Sequence, residues 1–166
     1  MSLATHNALD RTQAALVVVD IQERLAAAMG ARERVIARTA LLVRAAAIVG
    51  IPVIATRQYP KGLGPMEPDV EAVLAEADSS VGVTRIDKLS FDCFADEEFA
   101  NVVAELGRRQ LVLCGMESHI CICQTALAGL RSGHEIHVAA DACCSREREL
   151  HDIAIMRLSA AGVVVT

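Results

Sequence analysis

The sequence predicts an α/β fold of three layers, built on a doubly wound, mostly parallel six-stranded sheet in the order 3-2-1-4-5-6. Three observations carry that reading. Short aliphatic runs alternate about five times with segments of helical spacing. Several of those runs are apolar throughout, as strands covered on both faces are. The composition, 53% hydrophobic but only 2% aromatic and without Trp, suits helices packed tightly on a buried sheet. At 166 residues, 1–166 reads as one domain.

Residues 15–19 form a first strand that ends at Asp20. A helix follows over 32–49, with Val35, Ile36, Leu42, Val43 and Ala46 on one side and Gly50 as its stop. The second strand is 51–55. Residues 59–68 hold three of the four prolines and two glycines, which predicts an irregular surface loop, with a short helix near 69–77. Such loops often cover sites. A third strand is expected over 81–85, then a helix over 95–106 whose acidic start suits the helix dipole. The fourth strand is 111–114, followed by a helix at 118–131, a fifth strand at 136–140, a helix at 147–161 and a last strand at 163–165. Residues 1 to about 12 are expected to be loosely held.

A net charge of -5, with no dense Lys/Arg block, argues against nucleic acid as a partner. Arg38 and Arg44 interrupt the longest apolar stretches, so no membrane span is expected. Residues 1–10 lack the charged-then-apolar order of a secretion signal, which points to the cytoplasm. The six cysteines, Cys93, Cys114, Cys121, Cys123, Cys143 and Cys144, are read as free thiols, because a domain of this size needs no staples. Their spacing does not match structural zinc sites, and neither metal nor cofactor is expected.

In a doubly wound sheet, ligands sit beyond the carboxyl ends of the strands where the winding reverses. That rule selects Asp20 after the first strand, Lys88 after the third and 115–121 after the fourth. Ser118 is a plausible N-cap, placing Cys121 in a first helical turn where the dipole would lower its pKa and free N–H groups could hold an oxyanion. Position alone is weak, since a buried structural thiol is the commoner fate of Cys.

The segments Val17-Val18-Val19-Asp20-Ile21-Gln22, Asp87-Lys88-Leu89-Ser90-Phe91 and Gly115-Met116-Glu117-Ser118-His119-Ile120-Cys121 resemble those of the isochorismatase-like cysteine hydrolases. The likeness runs nearly the whole length. It is strongest to the isochorismatase domain-containing branch, through Gln58-Tyr59-Pro60-Lys61-Gly62-Leu63-Gly64, Gln124-Thr125-Ala126-Leu127 and His137-Val138-Ala139-Ala140-Asp141-Ala142. The resemblance implies a hydrolase with Cys121 as nucleophile, Asp20 as general base and Lys88 as supporting cation. It also implies a cis peptide at Met116-Glu117, with the N–H groups of Glu117 and Cys121 as oxyanion donors.

Nicotinamidase-type relatives hold a metal through Asp and His after the first two strands; Thr56-Arg57-Gln58-Tyr59-Pro60 supplies no such His. True isochorismate hydrolases lack the thiol, so Cys121 favours amide-type or related carbonyl compounds as small-molecule substrates. The family further implies a dimer or tetramer, and one more helix beyond Thr166, so a truncated end is expected. Gln22, Tyr59, Phe91, Phe94 and Glu117 are candidates for the substrate-binding wall because they flank the proposed catalytic groups. His119 reads as a site-edge or packing residue, since positions two apart on a helix point away from each other. His134, His137 and His151 read as surface or interface groups, Cys93 as a small core or pocket residue and Arg146 as an interface residue. Two other classes stay open: a non-catalytic binding or oligomerisation module, and a redox-responsive thiol protein.

Overall fold

The computed structural model describes residues 8–166. Its six strands, β1 (Ala14–Val19), β2 (Val53–Gln58), β3 (Val83–Lys88), β4 (Gln110–Met116), β5 (Glu135–Cys144) and β6 (Val164–Val165), form one all-parallel sheet in the order β3-β2-β1-β4-β5-β6. The predicted order is the observed one. Every residue of β1 is buried, which is why its sequence shows no polar alternation.

One face carries α1 (Glu23–Ala26), α2 (Arg32–Val49) and α4 (Pro68–Val81), and its core includes Leu16, Val18, Val43, Val70 and Leu74. The other carries α5 (Glu97–Leu106), α6 (Cys123–Arg131) and α7 (Arg148–Ala160), closing over Val17, Val19, Phe99, Ile122 and Leu158. Aliphatic side chains from the two faces of a single central strand thus feed two separate cores. α2 has its expected bounds and ends at Gly50 in a left-handed turn (φ 78°). Asp96 caps α5 by accepting from the N–H groups of Glu98 and Phe99.

Several boundaries differ from expectation. β2 begins at Val53 and runs on to Gln58, and β3 runs to Lys88, because polar residues on these strands find partners at the sheet's outer edge: Arg57 pairs with Asp87, and Arg85 with Glu71. The loop after β2 is not wholly irregular. It contains α3 (Pro60–Leu63), and Gln22 bridges to Met66 beneath it. α1 was not expected at all, and four residues are too few for periodicity to register. The helix over 118–131 divides into a π-helical turn, Ser118–Ile122, and α6. At the N-terminus, Gln110 donates to the Ala8 carbonyl (3.0 Å) and accepts from the Asp10 N–H (2.8 Å), so residues 8–12 are tied to β4 rather than loose. Residues 1–7, on which that expectation and the compartment reading also rest, lie outside the described residues. No described helix is long and apolar enough to cross a membrane.

His137 corrects another expectation. It sits in β5 at 1% exposure, and neither ring nitrogen has a hydrogen-bond partner among the described residues. Burial therefore lowers its pKa, against the weaker pull of Glu135, and keeps it neutral. An unfolded chain takes up a proton on this ring below its ordinary value of about 6.5, whereas the folded one resists. Stability is thus lost as pH falls from that value toward the folded-state pKa. His137→Leu is expected to flatten this part of the pH dependence, and at pH 7 to be neutral or stabilising by about 1 kcal/mol. Urea midpoints at pH 7.5 and 5.5 check it, and an unchanged acid slope would remove His137 from the account.

Candidate active site

Asp20, Lys88 and the turn bearing Cys121 come from the carboxyl ends of β1, β3 and β4, and the register explains how they meet. Val19 lies beside Thr56 on β2, and Gln58, two residues on, lies beside Lys88. Thr56 and Gln58 share a sheet face because side chains alternate along a strand. Thr56 donates its hydroxyl to Asp20 Oδ1 (2.7 Å), while Lys88 Nζ donates to Asp20 Oδ2 (2.6 Å), Gln58 Oε1 (2.8 Å) and the Ser90 carbonyl (3.1 Å). The ammonium thereby reaches across β2 with all three of its donors used. Both charged side chains are fully buried.

Burial opposes the Lys88 charge, but the negative charge that can develop around it, that of the Asp20 carboxylate first, outweighs it and raises the Lys88 pKa. Cys121 behaves opposite to expectation. Burial first, then the Asp20 carboxylate, push its thiol well above the usual value, and Lys88 offsets only part of this. The helical-turn dipole does not dominate, because Cys121 is buried and its thiol lies beside the Asp20 carboxylate. Cys93, fully buried near the same charges and held through its N–H by Thr125 Oγ1 (3.0 Å), is likewise raised to about 12, chiefly by burial.

The Met116-Glu117 peptide bond is cis. Ser118 is not the N-cap; Glu117 holds that position and provides no side-chain cap. Instead its carboxylate accepts from Arg146 Nη2 (2.8 Å), Nε (3.1 Å) and backbone N–H (3.0 Å). Burial alone would raise the Glu117 carboxyl, but these bonds hold it below the usual carboxylate value. The buried Ser118 hydroxyl pairs with His151 Nδ1 (2.7 Å), and His119 Nδ1 pairs with Ser145 Oγ (2.8 Å).

The expected wall residues divide. Tyr59 (51% exposed) and Phe91 (56%) stand open beside Lys88, whose carbonyl accepts the Tyr59 N–H (2.8 Å). Gln22 is buried with both amide ends engaged, accepting from the Gln58 N–H and donating to the Gly64 carbonyl (2.7 Å each), so it braces the loop after β2. Phe94 turns into the packing around α5, against Phe99 (centroids 5.2 Å apart) and His134 (5.4 Å). Thr56 and Gln58 lie beyond the expected end of the second strand at residue 55, and their alternation with Ala55 and Arg57 is the signal in the sequence that marks them. No comparable signal marks the Glu117–Arg146 contact, 29 residues apart.

Comparison with known proteins agrees with this architecture. The isochorismatase domain matches residues 14–166. Isochorismatase domain-containing protein 1 of Danio rerio is 33% identical over 166 residues, all of this chain but 56% of that protein, so the chain spans little more than half its length. Isochorismatase domain-containing protein 2 of Xenopus laevis is 32% identical over 99% of this chain and 77% of its own. The solved MAR1 ribonuclease of Caenorhabditis elegans superposes with a TM-score of 0.86 at 30% identity, covering 95% of this chain and 78% of that one. The parallel order β3-β2-β1-β4-β5-β6, the meeting of Asp20 with Lys88 and these matches lead to one conclusion: the chain belongs to the isochorismatase domain family.

Proposed function

We propose that this protein is a cysteine-dependent hydrolase that cleaves a small amide or related carbonyl compound through Cys121, Asp20 and Lys88. The observation that carries the reading is the buried Lys88–Asp20 pair facing a buried thiol. An ion pair withdrawn from water contributes little to stability against well-packed apolar residues, and buried charge beside a nucleophile is what catalysis uses.

In the proposed reaction the Cys121 proton passes to Asp20 as sulfur attacks the carbonyl carbon, because the resting thiol is not ionised. The N–H groups of Glu117 and Cys121 receive the oxyanion of the tetrahedral adduct. Asp20 returns the proton to the leaving nitrogen and the amine departs, leaving a thioester. Water, deprotonated by Asp20, then releases the acid and restores the thiol. Lys88 holds Asp20 in place and balances its charge throughout. Tyr59 and Phe91 form the open wall for the substrate, with Gln22 acting through the loop. Six free, buried cysteines suit a reducing, cytoplasmic setting. Exposed Leu41 and Ile48 on α2 and Ile153 and Met156 on α7 suit assembly as a dimer or tetramer. The ribonuclease activity named for the nematode protein is not carried over, since the sequence has no dense Lys/Arg block with interleaved aromatic residues.

Ammonia release across a panel of small amides, with Cys121→Ala as control, tests the reading. Turnover that depends on Cys121 is expected, and equal rates in both proteins would end it. A second measurement separates catalysis from structure. In Asp20→Asn the carboxylate that raises the thiol pKa is gone and Lys88 gains a thiolate as counter-ion, so the apparent pKa for iodoacetamide alkylation of Cys121 should fall while hydrolysis is lost. Unfolding would also return the thiol toward its ordinary value of about 8.5 and abolish hydrolysis, so Asp20→Asn must show the shift while keeping a cooperative thermal melt.

A further inference from the structure

The turn that carries Cys121 is a single π-helical turn, Ser118–Ile122. Its π-type hydrogen bonding is wider than an α-helix, and its N-cap residue supplies no side-chain bond to it. Its first side chains are anchored elsewhere. Glu117, Ser118 and His119, three successive residues, bond to Arg146, His151 and Ser145 respectively. All three partners lie on the segment joining β5 to α7 or in the first turn of α7. The strongest anchor is a bidentate fork from Arg146 to a carboxylate only 3% exposed, which fixes direction as well as distance.

The anchors are also reachable from outside. Ser145, Arg146 and His151 line an open cavity of about 640 Å³, together with Arg34, Cys144 and Arg148. Arg146 is about half exposed there, while the carboxylate it holds is buried. The cavity wall therefore faces solvent on one side and the nucleophile turn on the other.

We propose that Arg146 is a positioning residue for the reaction and that His151 assists it: neither touches substrate, and together they hold residues 117–119 so that Cys121 meets Asp20 and the carbonyl carbon. This rests on the reading of Cys121 as nucleophile. Lys does not replace Arg here, because a point charge lacks the fork.

Arg146→Ala leaves a guanidinium-sized opening onto the cavity, which makes chemical rescue the test. Relative to wild type, kcat on the responsive amide should fall by about 10²-fold, as for a small misplacement of a reacting group, with KM within about twofold. Guanidine hydrochloride at about 20 mM, far too dilute to unfold the protein, should recover at least several-fold of the lost rate in Arg146→Ala. It should do nothing for wild type or Arg146→Lys, and equimolar NaCl should not substitute. Amide hydrogen exchange over residues 118–122 gives a reading independent of turnover: it should accelerate at least tenfold in Arg146→Ala and slow again with guanidinium.

Wild-type kcat in Arg146→Ala, unchanged exchange in that turn, or a rate loss without guanidinium recovery would each overturn the proposal. Should Arg146→Ala not fold, Glu117→Gln, which keeps two hydrogen bonds but loses the charge, must show the same accelerated exchange or the proposal fails. If wild type shows no turnover that depends on Cys121, the proposed function falls, and the exchange result still decides whether Arg146 anchors the turn.

Discussion

Lys88→Met is expected to destabilise the protein by about 3–5 kcal/mol, and the double variant Asp20→Asn/Lys88→Met by clearly less than that single change. The reason is the 2.6 Å contact between two fully buried charges. Without the ammonium, the Asp20 carboxylate keeps the Thr56 hydroxyl and the Cys121 thiol beside it but loses its compensating charge out of water. Removing both charges removes that penalty, at the price of catalysis. Because the Lys88 pKa is raised in the folded state, the pair's contribution is fully present below the ordinary Lys value of about 10.4 and is lost only as pH rises through the folded-state value. Urea denaturation of the wild type, both single variants and the double variant at pH 7 checks the cycle. Strictly additive effects would show that the two groups do not depend on each other, and turnover of the responsive amide should be absent from all three variants.

Gly115→Ala is expected to cost about 3 kcal/mol or more, or to abolish soluble expression. Gly115 has φ +129°, and a Cβ there would lie 2.0 Å from the Val19 carbonyl oxygen and 2.8 Å from its carbon. Both are backbone atoms of the central strand, so the clash is relieved only by parting β1 from β4, just where Asp20 and the Cys121 turn emerge. Gly133→Ala is the control. It shares a positive φ (83°) but meets nothing within 4 Å, so it should show only the backbone term of roughly 1–2 kcal/mol. Thermal melts of the two variants separate the cases, and equal losses would show that close approach at Gly115 is not what matters.

Both predictions turn on contacts that differ in how far the sequence announced them. The unbroken apolar run at 15–19 reads as a strand covered on both faces, and the helix after it ends at a glycine that permits the left-handed stop, so β1, α2 and the parallel alternation were legible. The strand order is the common one for a doubly wound sheet of six strands. Asp20, Lys88 and Cys121 were selected as groups at strand ends, which is a local property of the chain. The bounds of β2 and β3 were not legible, since their polar ends are satisfied by each other and by α4 rather than by any pattern within the strand.

Periodicity and turn residues are local, and by themselves they determined the layers, the central strand and the end of the sheet where the site lies. Only the tertiary structure decided the direction of the Cys121 pKa, the engagement of the Gln22 amide, the packing of half-buried Phe94 against His134 and the hold of Arg146 on Glu117. Each of these depends on groups from distant segments removing one another from water. Desolvation and pairing are set by distance in space, which spacing along a chain does not encode.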